Sequence, residues 1–396
     1  MTAEQILQPK LRFPEFDGEL RSKIIGDVCN LTTGNKDTQN KIDDGKYPFF
    51  VRSQTVERIN SYSYNGEAIL TSGDGVGVGK NFHYINGKFD FHQRVYCLNK
   101  FKDDVYGQFV FHYFSENFLR RITRMNAKNS VDSVRREMIF DMPILLPSLH
   151  EQTKIANFLS SIDEKIILLK EKKALLEEYK KGMMQKIFNQ EIRFKDDNGN
   201  NFEDWEEKVL GDFKDLIHGD GDWILSKDLS IGGKYKLIQL GNIGFGNYVD
   251  KNLKSISLLK FNELKGTLLK KGDLLINRMV DSNLYCCLLD KEGDYITSVD
   301  VCWIRENLYF SNYFFMSLIL FKENQIKLLN LSSGSGRVRI SKSNFFNEFK
   351  FSLPSILEQT KIANFLSSID KKIALVATQI EDTQEYKKGL LQQMFV

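Results

Sequence analysis

Proline is scarce, 6 among 396 residues, and no apolar stretch is long. The longest, Phe314 to Phe321, is broken by Ser317 and falls far short of the roughly 20 residues that span a bilayer, so no membrane span is expected. Nor does one charge dominate: 55 Lys and Arg face 52 Asp and Glu, a formal net charge of +3. Such a weak whole-chain field indicates no partner, and any basic surface must be local. The opening MTAEQILQPKLRF lacks the basic stretch and apolar run of a secretory signal, which places the chain in the cytoplasm. Five cysteines, Cys29, Cys97, Cys286, Cys287 and Cys302, include no C-x-x-C pair, and five histidines include no H-E-x-x-H. No disulfide framework or zinc site is indicated, and buried free thiols are the expectation. What is present is 42% hydrophobic and 27% charged residues with 30 Phe. Folded domains with aromatic-rich strands have that balance; disordered and collagen-like chains do not.

Catalytic signatures are missing as well. Gly73 to Lys80, GDGVGVGK, invites a phosphate-loop reading, but Asp74 stands where G-x-x-x-x-G-K needs its first glycine and Asn81 replaces Ser or Thr. A tight inter-strand loop exposing Lys80 and Asn81, able to approach a nucleic-acid backbone, is expected instead. A DNA methyltransferase needs an N-P-P or D-P-P type tetrapeptide and a glycine-rich cofactor loop, and neither occurs. Glu206-Glu207-Lys208 resembles a piece of a nuclease metal motif without a partner Asp before it, and reads as a surface strand. The chain is therefore not expected to be an enzyme.

The sequence does contain itself twice. LPSLHEQTKIANFLSSIDEKI from Leu146 returns as LPSILEQTKIANFLSSIDKKI from Leu353, and EYKKGMMQKIF from Glu178 returns as EYKKGLLQQMF from Glu385. Both displacements are 207 residues, and about 26 of 43 positions between Leu146 and Phe188 are identical in the second copy. Fainter echoes lie upstream: Leu11-Arg12-Phe13 resembles Ile192-Arg193-Phe194, and Ile25-Gly26-Asp27-Val28 resembles Leu210-Gly211-Asp212-Phe213. So long a period marks a duplicated domain rather than a solenoid repeat. Each copy is a variable part followed by a nearly constant one, with domains over 1–145 and 191–352 and constant helices over 146–190 and 353–396.

The constant segments carry helical periodicity. In the first, Ile155, Leu159, Ile162, Ile166, Leu169, Leu176, Met183 and Ile187 recur at spacings of three and four; in the second, Ile362, Leu366, Ile369, Ile373, Val376, Ile380, Leu390 and Met394 do so. Lys173 and Lys180 interrupt one stripe, Thr383 and Lys387 the other. From Glu151 to Phe188 a helix would extend about 57 Å at 1.5 Å per residue. Each stripe could pack on its own domain, or the two could pair as an antiparallel intramolecular coiled coil with pseudo-twofold symmetry, holding the variable domains at opposite ends. The variable parts read as strands: YPFFV, EAILTS, NFHYI and RVYCLN in one, YKLIQL, DLLIN, LYCCLL and VCWI in the other, with helices at Phe109 to Arg121 and Ser311 to Leu328. The fold class is α+β. Before each Leu-Pro the chain is locally basic: Arg120, Arg121, Arg124, Lys128, Arg135 and Arg136 in one copy, Lys327, Arg337, Arg339, Lys342 and Lys350 in the other. A solvated face is the bland account, but the shared placement points to a shared task.

A variable domain, then L-P-x-x-x-E-Q-x-x-I-A-x-F-L-x-x-I-D opening a long helix, then both again, resembles the specificity subunit of a type I restriction-modification enzyme. The resemblance spans essentially the whole chain and is carried by Pro147, Glu151, Gln152, Ile155, Leu159 and Asp163, repeated as Pro354, Glu358, Gln359, Ile362, Leu366 and Asp370. Gly45 to Phe50 and the stretch from Lys270 or Lys271 to Arg278 also resemble segments of that family's target-reading domains. The resemblance implies a DNA-reading subunit without catalysis, in which each variable domain is a target recognition domain reading half of a bipartite duplex site and the paired helices set the unread spacer. It implies two methylation subunits carrying S-adenosylmethionine, docked on the constant helices, and two restriction subunits using ATP and Mg; this chain itself takes no cofactor. A specificity subunit of a related two-subunit restriction and modification enzyme is the alternative, and a non-reading scaffold a further one. Glu151, Gln152, Glu358, Gln359 and the stripe residues are the expected partner-binding and coiled-coil positions. Base and phosphate contacts follow from residue chemistry: Arg52, Gln54, Lys80, Asn81, Arg94, Arg124, Lys128 and Arg135 in the first domain, Asn277, Arg278, Asn283, Arg337, Arg339 and Lys342 in the second.

Overall fold

The aromatic-rich runs become strands because alternate residues have two buried faces to fill. In β5 (Tyr64–Ser72), counted after β1 (Arg21–Ile24), helix α1 (Ile25–Val28), β2 (Asn30–Thr33), β3 (Tyr47–Phe50) and β4 (Glu57–Ile59), Ile69 joins one apolar cluster while Ala68 and Leu70 join another. The computed structural model describes residues 8–125, 133–251, 253–334 and 336–395. The chain divides into two units, Met1–Glu171 with Ala377–Val396, and Lys172–Val376.

In the first unit, β6 (Phe82–Phe91) and β7 (Val95–Asn99) complete a six-stranded sheet of order β2-β7-β5-β6-β3-β4, antiparallel except between β3 and β6. Helix α2 (Gly107–Met125) covers one face with Phe109, Val110, Phe114, Phe118 and Ile122. After α3 (Arg136–Phe140), β8 (Pro143–Leu146) pairs with β1 and delivers the chain into α4 (Leu149–Phe188). Ile155, Leu159, Ile162 and Ile166 are buried there in one cluster with Leu390, Leu391, Met394 and Phe395, whose ring meets Phe109 edge-on at 5.4 Å.

The second unit holds β9 (Glu206–Lys208), β10 (His218–Asp220), β11 (Tyr235–Ile238), β12 (Lys254–Ile256), α5 (Leu258–Leu264), β13 (Leu274–Asn277), β14 (Cys286–Leu288), β15 (Tyr295–Thr297) and β16 (Val301–Ile304). Two sheets result, β10-β16-β13-β14 and β12-β11-β15. The helix expected over Ser311 to Leu328 is two, α6 (Asn312–Leu320) and α7 (Lys322–Asn330), broken at an extended Phe321. The break is stable because side chains replace the lost ladder: Asn324 donates to the Leu318 carbonyl at 2.9 Å and Gln325 to that of Ile319 at 2.8 Å. A short hairpin of β17 (Ser332–Ser333) and β18 (Arg339–Ile340), then α8 (Lys342–Asn347), lead to β19 (Phe351–Leu353), which pairs with β9 and enters α9 (Ile356–Met394). The Glu206-Glu207-Lys208 segment is thus a strand. Ile187 packs with Ile362, Ala363 and Leu366.

Both constant segments are helices, of 40 and 39 residues, and within each unit they run antiparallel. In the first unit Lys387 donates to Asp163 at 2.7 Å, and Met394 and Phe395 lie beside Glu151 and Ile155; in the second Lys180 donates to Asp370 at 2.8 Å, and Ile187 lies beside Ile362. Two of the lysines that interrupt the stripes, Lys180 and Lys387, are therefore ion-pair partners of the opposite helix, which a single-helix reading cannot reveal, whereas Lys173 pairs with Glu177 on its own helix. Leu169, Leu176, Ile373 and Ile380 are only half-buried, whereas Ile369 and Val376 are buried. All five cysteines are buried free thiols; burial pushes those of Cys29 and Cys302 up to about 12. No described helix is long and apolar enough to cross a membrane.

The Glu-Gln pairs sit elsewhere than on a partner surface. Glu151 is buried and takes both Nε and Nη2 of Arg12, at 2.6 and 2.7 Å; Glu358 takes Arg193 Nη2 at 2.8 Å and Trp205 Nε1 at 3.1 Å. Gln152 accepts from the Tyr106 amide at 2.9 Å and donates to the carbonyls of Asp104 and Pro147; Gln359 accepts from the Ser311 amide at 3.2 Å and donates to Tyr309 and Pro354. Sequence reasoning put these four on the docking surface; the structure turns them inward, because a helix start beside a sheet leaves backbone groups that only such side chains can satisfy.

Gln152→Ala strands three backbone groups and should destabilise the first unit by about 1–3 kcal/mol, read as a lower urea midpoint in far-UV circular dichroism. Gln359→Ala should do the same to the second unit, which holds Trp205, Trp223 and Trp303 and so reports by fluorescence. Unaltered midpoints would remove the carboxamides from any anchoring role. His112, 3.3 Å from Ser160 Oγ, is held down to about 4 by burial and the nearby Lys387 charge, against Asp163. Its unfolded form binds a proton near pH 6.5 and its folded form does not, so stability should fall as pH drops from 6.5 towards 4. Urea titrations at pH 7 and 5 should show a smaller loss in His112→Gln.

Candidate nucleic-acid interface

In the first unit the site begins where β5 ends. Gly73 donates its amide to the Arg94 carbonyl at 2.7 Å and accepts at its own carbonyl from Val134 at 2.7 Å, while Asp74 bridges to Ser133. A Cβ on Gly73 would stand 2.8 Å from the Arg94 oxygen, so in this unit the strands approach too closely at that point for any side chain. Asp74 receives Arg52 Nη1 at 3.0 Å and has Arg94 Nε at 3.8 Å. Exposed Gln54 lies in the same turn as Arg52, exposed Lys80 closes the glycine loop, and exposed Arg135 follows Val134. Beneath the loop runs α2, close enough that a Cβ on Gly79 would meet Leu119 and Ile122 at 2.8 Å; its last turn carries exposed Arg124. Lys128 lies outside the described residues.

Asn81 departs from expectation. Rather than offering its amide outward, it donates to the Arg52 carbonyl at 3.1 Å and to Ser72 Oγ at 3.3 Å, locking the loop to the strand. His83 braces the same turn, its Nε2 3.1 Å from the Ser53 carbonyl, and carries no sequence signal that separates it from any strand residue.

The second unit repeats the joint. Arg278, the residue after β13, donates its amide to the Asp300 carbonyl at 2.9 Å and accepts from Ile340 at 3.0 Å, while Met279 bridges to Arg339. These are the Gly73–Arg94, Val134–Gly73 and Asp74–Ser133 contacts again. Arg278 has Nε 3.5 Å from Asp220 and Nη2 4.0 Å from Asp300; Arg339 Nη1 lies 3.5 Å from Asp300 and Lys342 Nζ 3.7 Å from Asp220. Arg339 and Lys342 keep exposed charge, and Arg337 is exposed in the preceding hairpin.

Three expected contacts fit less well. Arg278 is nine-tenths buried between its two acids, and Asn277, equally buried, spends its side-chain oxygen on the Met279 amide at 2.9 Å. Half-buried Asn283 donates to the neighbouring Ser282 Oγ at 3.2 Å, within a turn of its own. Arg278 is taken up by its two acids, and the short amides of Asn277 and Asn283 bond groups one or two residues away in the chain. Asp220 and Asp300 were missed, since an isolated Asp carries no signal until the sheet register places it beside Arg278. Among the described residues no three His, Cys, Asp or Glu are grouped to hold a metal ion.

Residues 19–178 and 202–384 match the profile of the type I restriction modification DNA specificity domain. Over 412 aligned residues the chain is 26% identical to the type I restriction enzyme MjaVIII specificity subunit of Methanocaldococcus jannaschii, covering 96% of this chain and 92% of that protein. Over 138 residues it is 30% identical to the type I restriction enzyme EcoDI specificity subunit of Escherichia coli, covering 35% of this chain and 30% of that protein. The crystal structure of the type I restriction-modification system S subunit from M. genitalium shares the fold, with a TM-score of 0.63 at 15% identity over 98% of this chain and 99% of that one.

Proposed function

The chain belongs to the type I restriction-modification DNA specificity family, whose members are non-catalytic specificity subunits, and from that premise we propose that each unit reads one half of a bipartite duplex site through the joint just described. The observation that carries this reading is the recurrence, in two domains of unlike sequence, of one backbone joint that gathers cations from separate segments: Arg52, Lys80, Arg94 and Arg135 in the first, Arg278, Arg339 and Lys342 in the second. Phosphate contacts by the exposed lysines set position, and arginines reach guanine edges in the major groove.

The helices set the unread spacer and receive two methylation subunits, with two restriction subunits joining the assembly. Exposed apolar side chains off the stripes support docking there: Ile167 and Leu168 in the first unit, Leu175, Tyr179 and Leu375 in the second. Adenine methylation and ATP-dependent cleavage are activities of that assembly in the cytoplasm, and S-adenosylmethionine, ATP and Mg serve the partner subunits.

The chain alone should bind duplex DNA weakly and form no methyl product; with its methylation subunit it should yield methylated adenines in one split motif, read by single-molecule sequencing. Exchanging residues 20–145 for the matching domain of a homologue should change one half of that motif only. A change in both halves together refutes one domain per half-site. Arg337→Ala and Arg339→Ala should each weaken binding through the second half by about 1–3 kcal/mol where a bidentate base contact is lost. Where only phosphate is touched, the loss should be uniform across sequences and the salt slope should fall by about one per contact. Unchanged affinity at every salt concentration returns both to a solvated face.

A further inference from the structure

Asp300 has a left-handed backbone, φ 70°, and is 8% exposed. Non-glycine residues persist in that region where the surroundings over-determine them, and such strain gathers at functional sites. The surroundings here are explicit. Its carbonyl takes the Arg278 amide at 2.9 Å, and its carboxylate stands between Arg278, 4.0 Å away and buried, and Arg339, 3.5 Å away with a side chain 59% exposed. Arg278 Nε is fully covered and lacks hydrogen-bonding geometry towards Asp220. One guanidinium is thus walled in, and the acid it shares aims the other outward.

The first unit supplies an independent parallel. By the backbone joint, Arg94 occupies the place of Asp300, and the acid, Asp74, lies just past the place of Arg278. The polarity is reversed, yet an acid again braces an exposed arginine, here Arg52 at 3.0 Å. An arginine held by an acid has less charge to give to phosphate and less freedom to lose on binding, so it favours a directional bidentate acceptor over a diffuse one.

We propose that Asp300 is a specificity-determining positioning residue: it holds Arg339 oriented for the O6 and N7 acceptors of one guanine in the second half-site and keeps that charge from the phosphate backbone. The proposal rests on the DNA-reading function above. It makes sequence discrimination, not affinity, the quantity that Asp300 controls.

The test uses the full chain assembled with its methylation subunits, and duplexes carrying the motif that the wild-type assembly methylates, with every single base-pair change in each half. Asp300→Asn removes the charge while tolerating the left-handed backbone, and Asp300→Gly removes charge and strain together. Both should bind unrelated duplex more tightly, with a salt slope steeper by about one. Both should lose about tenfold discrimination at one G·C position of the second half, leave discrimination in the first half intact, and melt near the wild-type temperature. Wild-type discrimination at every second-half position in either variant overturns the proposal. So does a uniform loss in both halves with a lowered melting temperature, which assigns Asp300 to folding alone. A wild-type assembly that methylates no split motif sinks the underlying reading as well, and is seen before any variant is made.

Discussion

A buried carboxamide at the start of each long helix is the constraint on which the rest depends. Gln152 and Gln359 each close three backbone hydrogen bonds, joining the first turn of the helix to the segment that precedes α2 or α6. Beside each, a buried glutamate binds an arginine from the strand-poor lead-in, Arg12 or Arg193. A buried carboxylate is costly unless paired and hydrogen-bonded, so these sites admit few substitutions and fasten domain to helix in one orientation. A reading head can register a DNA sequence only if its mount does not turn.

The helices obey a second rule of the same kind. Each stripe is interrupted by a lysine that, on its own helix, spoils the apolar seam. In its unit that lysine meets an aspartate of the antiparallel partner, Lys387 with Asp163 and Lys180 with Asp370. The two pairs occupy equivalent places in the duplicated sequence. Partly exposed ion pairs add little stability, but a polar group in an apolar seam penalises every register except the one that satisfies it. Tyr313, which also hydrogen-bonds Asp370, ties the second pair to its domain.

Duplication has preserved the mount and released the reading surface. Both units join a strand end, the start of another strand and the returning basic segment through the same backbone contacts, while the side chains at the joint differ in kind and even in sign: Gly73 and Arg94 in one, Arg278 and Asp300 in the other. Backbone hydrogen bonds are indifferent to side-chain identity, which lets the residues around the joint change without disturbing the frame.

The sequence by itself determined the duplication, the α+β class, the two long helices and about half of the strands, since apolar periods of 3.6 and 2 are local and survive without tertiary information. It also marked the basic stretches and, through Glu-Gln and Leu-Pro, the family resemblance. Only the tertiary structure decided that Glu151, Gln152, Glu358 and Gln359 face inward, that Lys180 and Lys387 complete ion pairs, that Asn81 and Asn277 serve the backbone, and that Asp220 and Asp300 surround Arg278. Each depends on which distant segments the sheet register and the antiparallel helix pairing bring within a hydrogen bond of one another, and a charge or amide has no preferred role until its partner is in place.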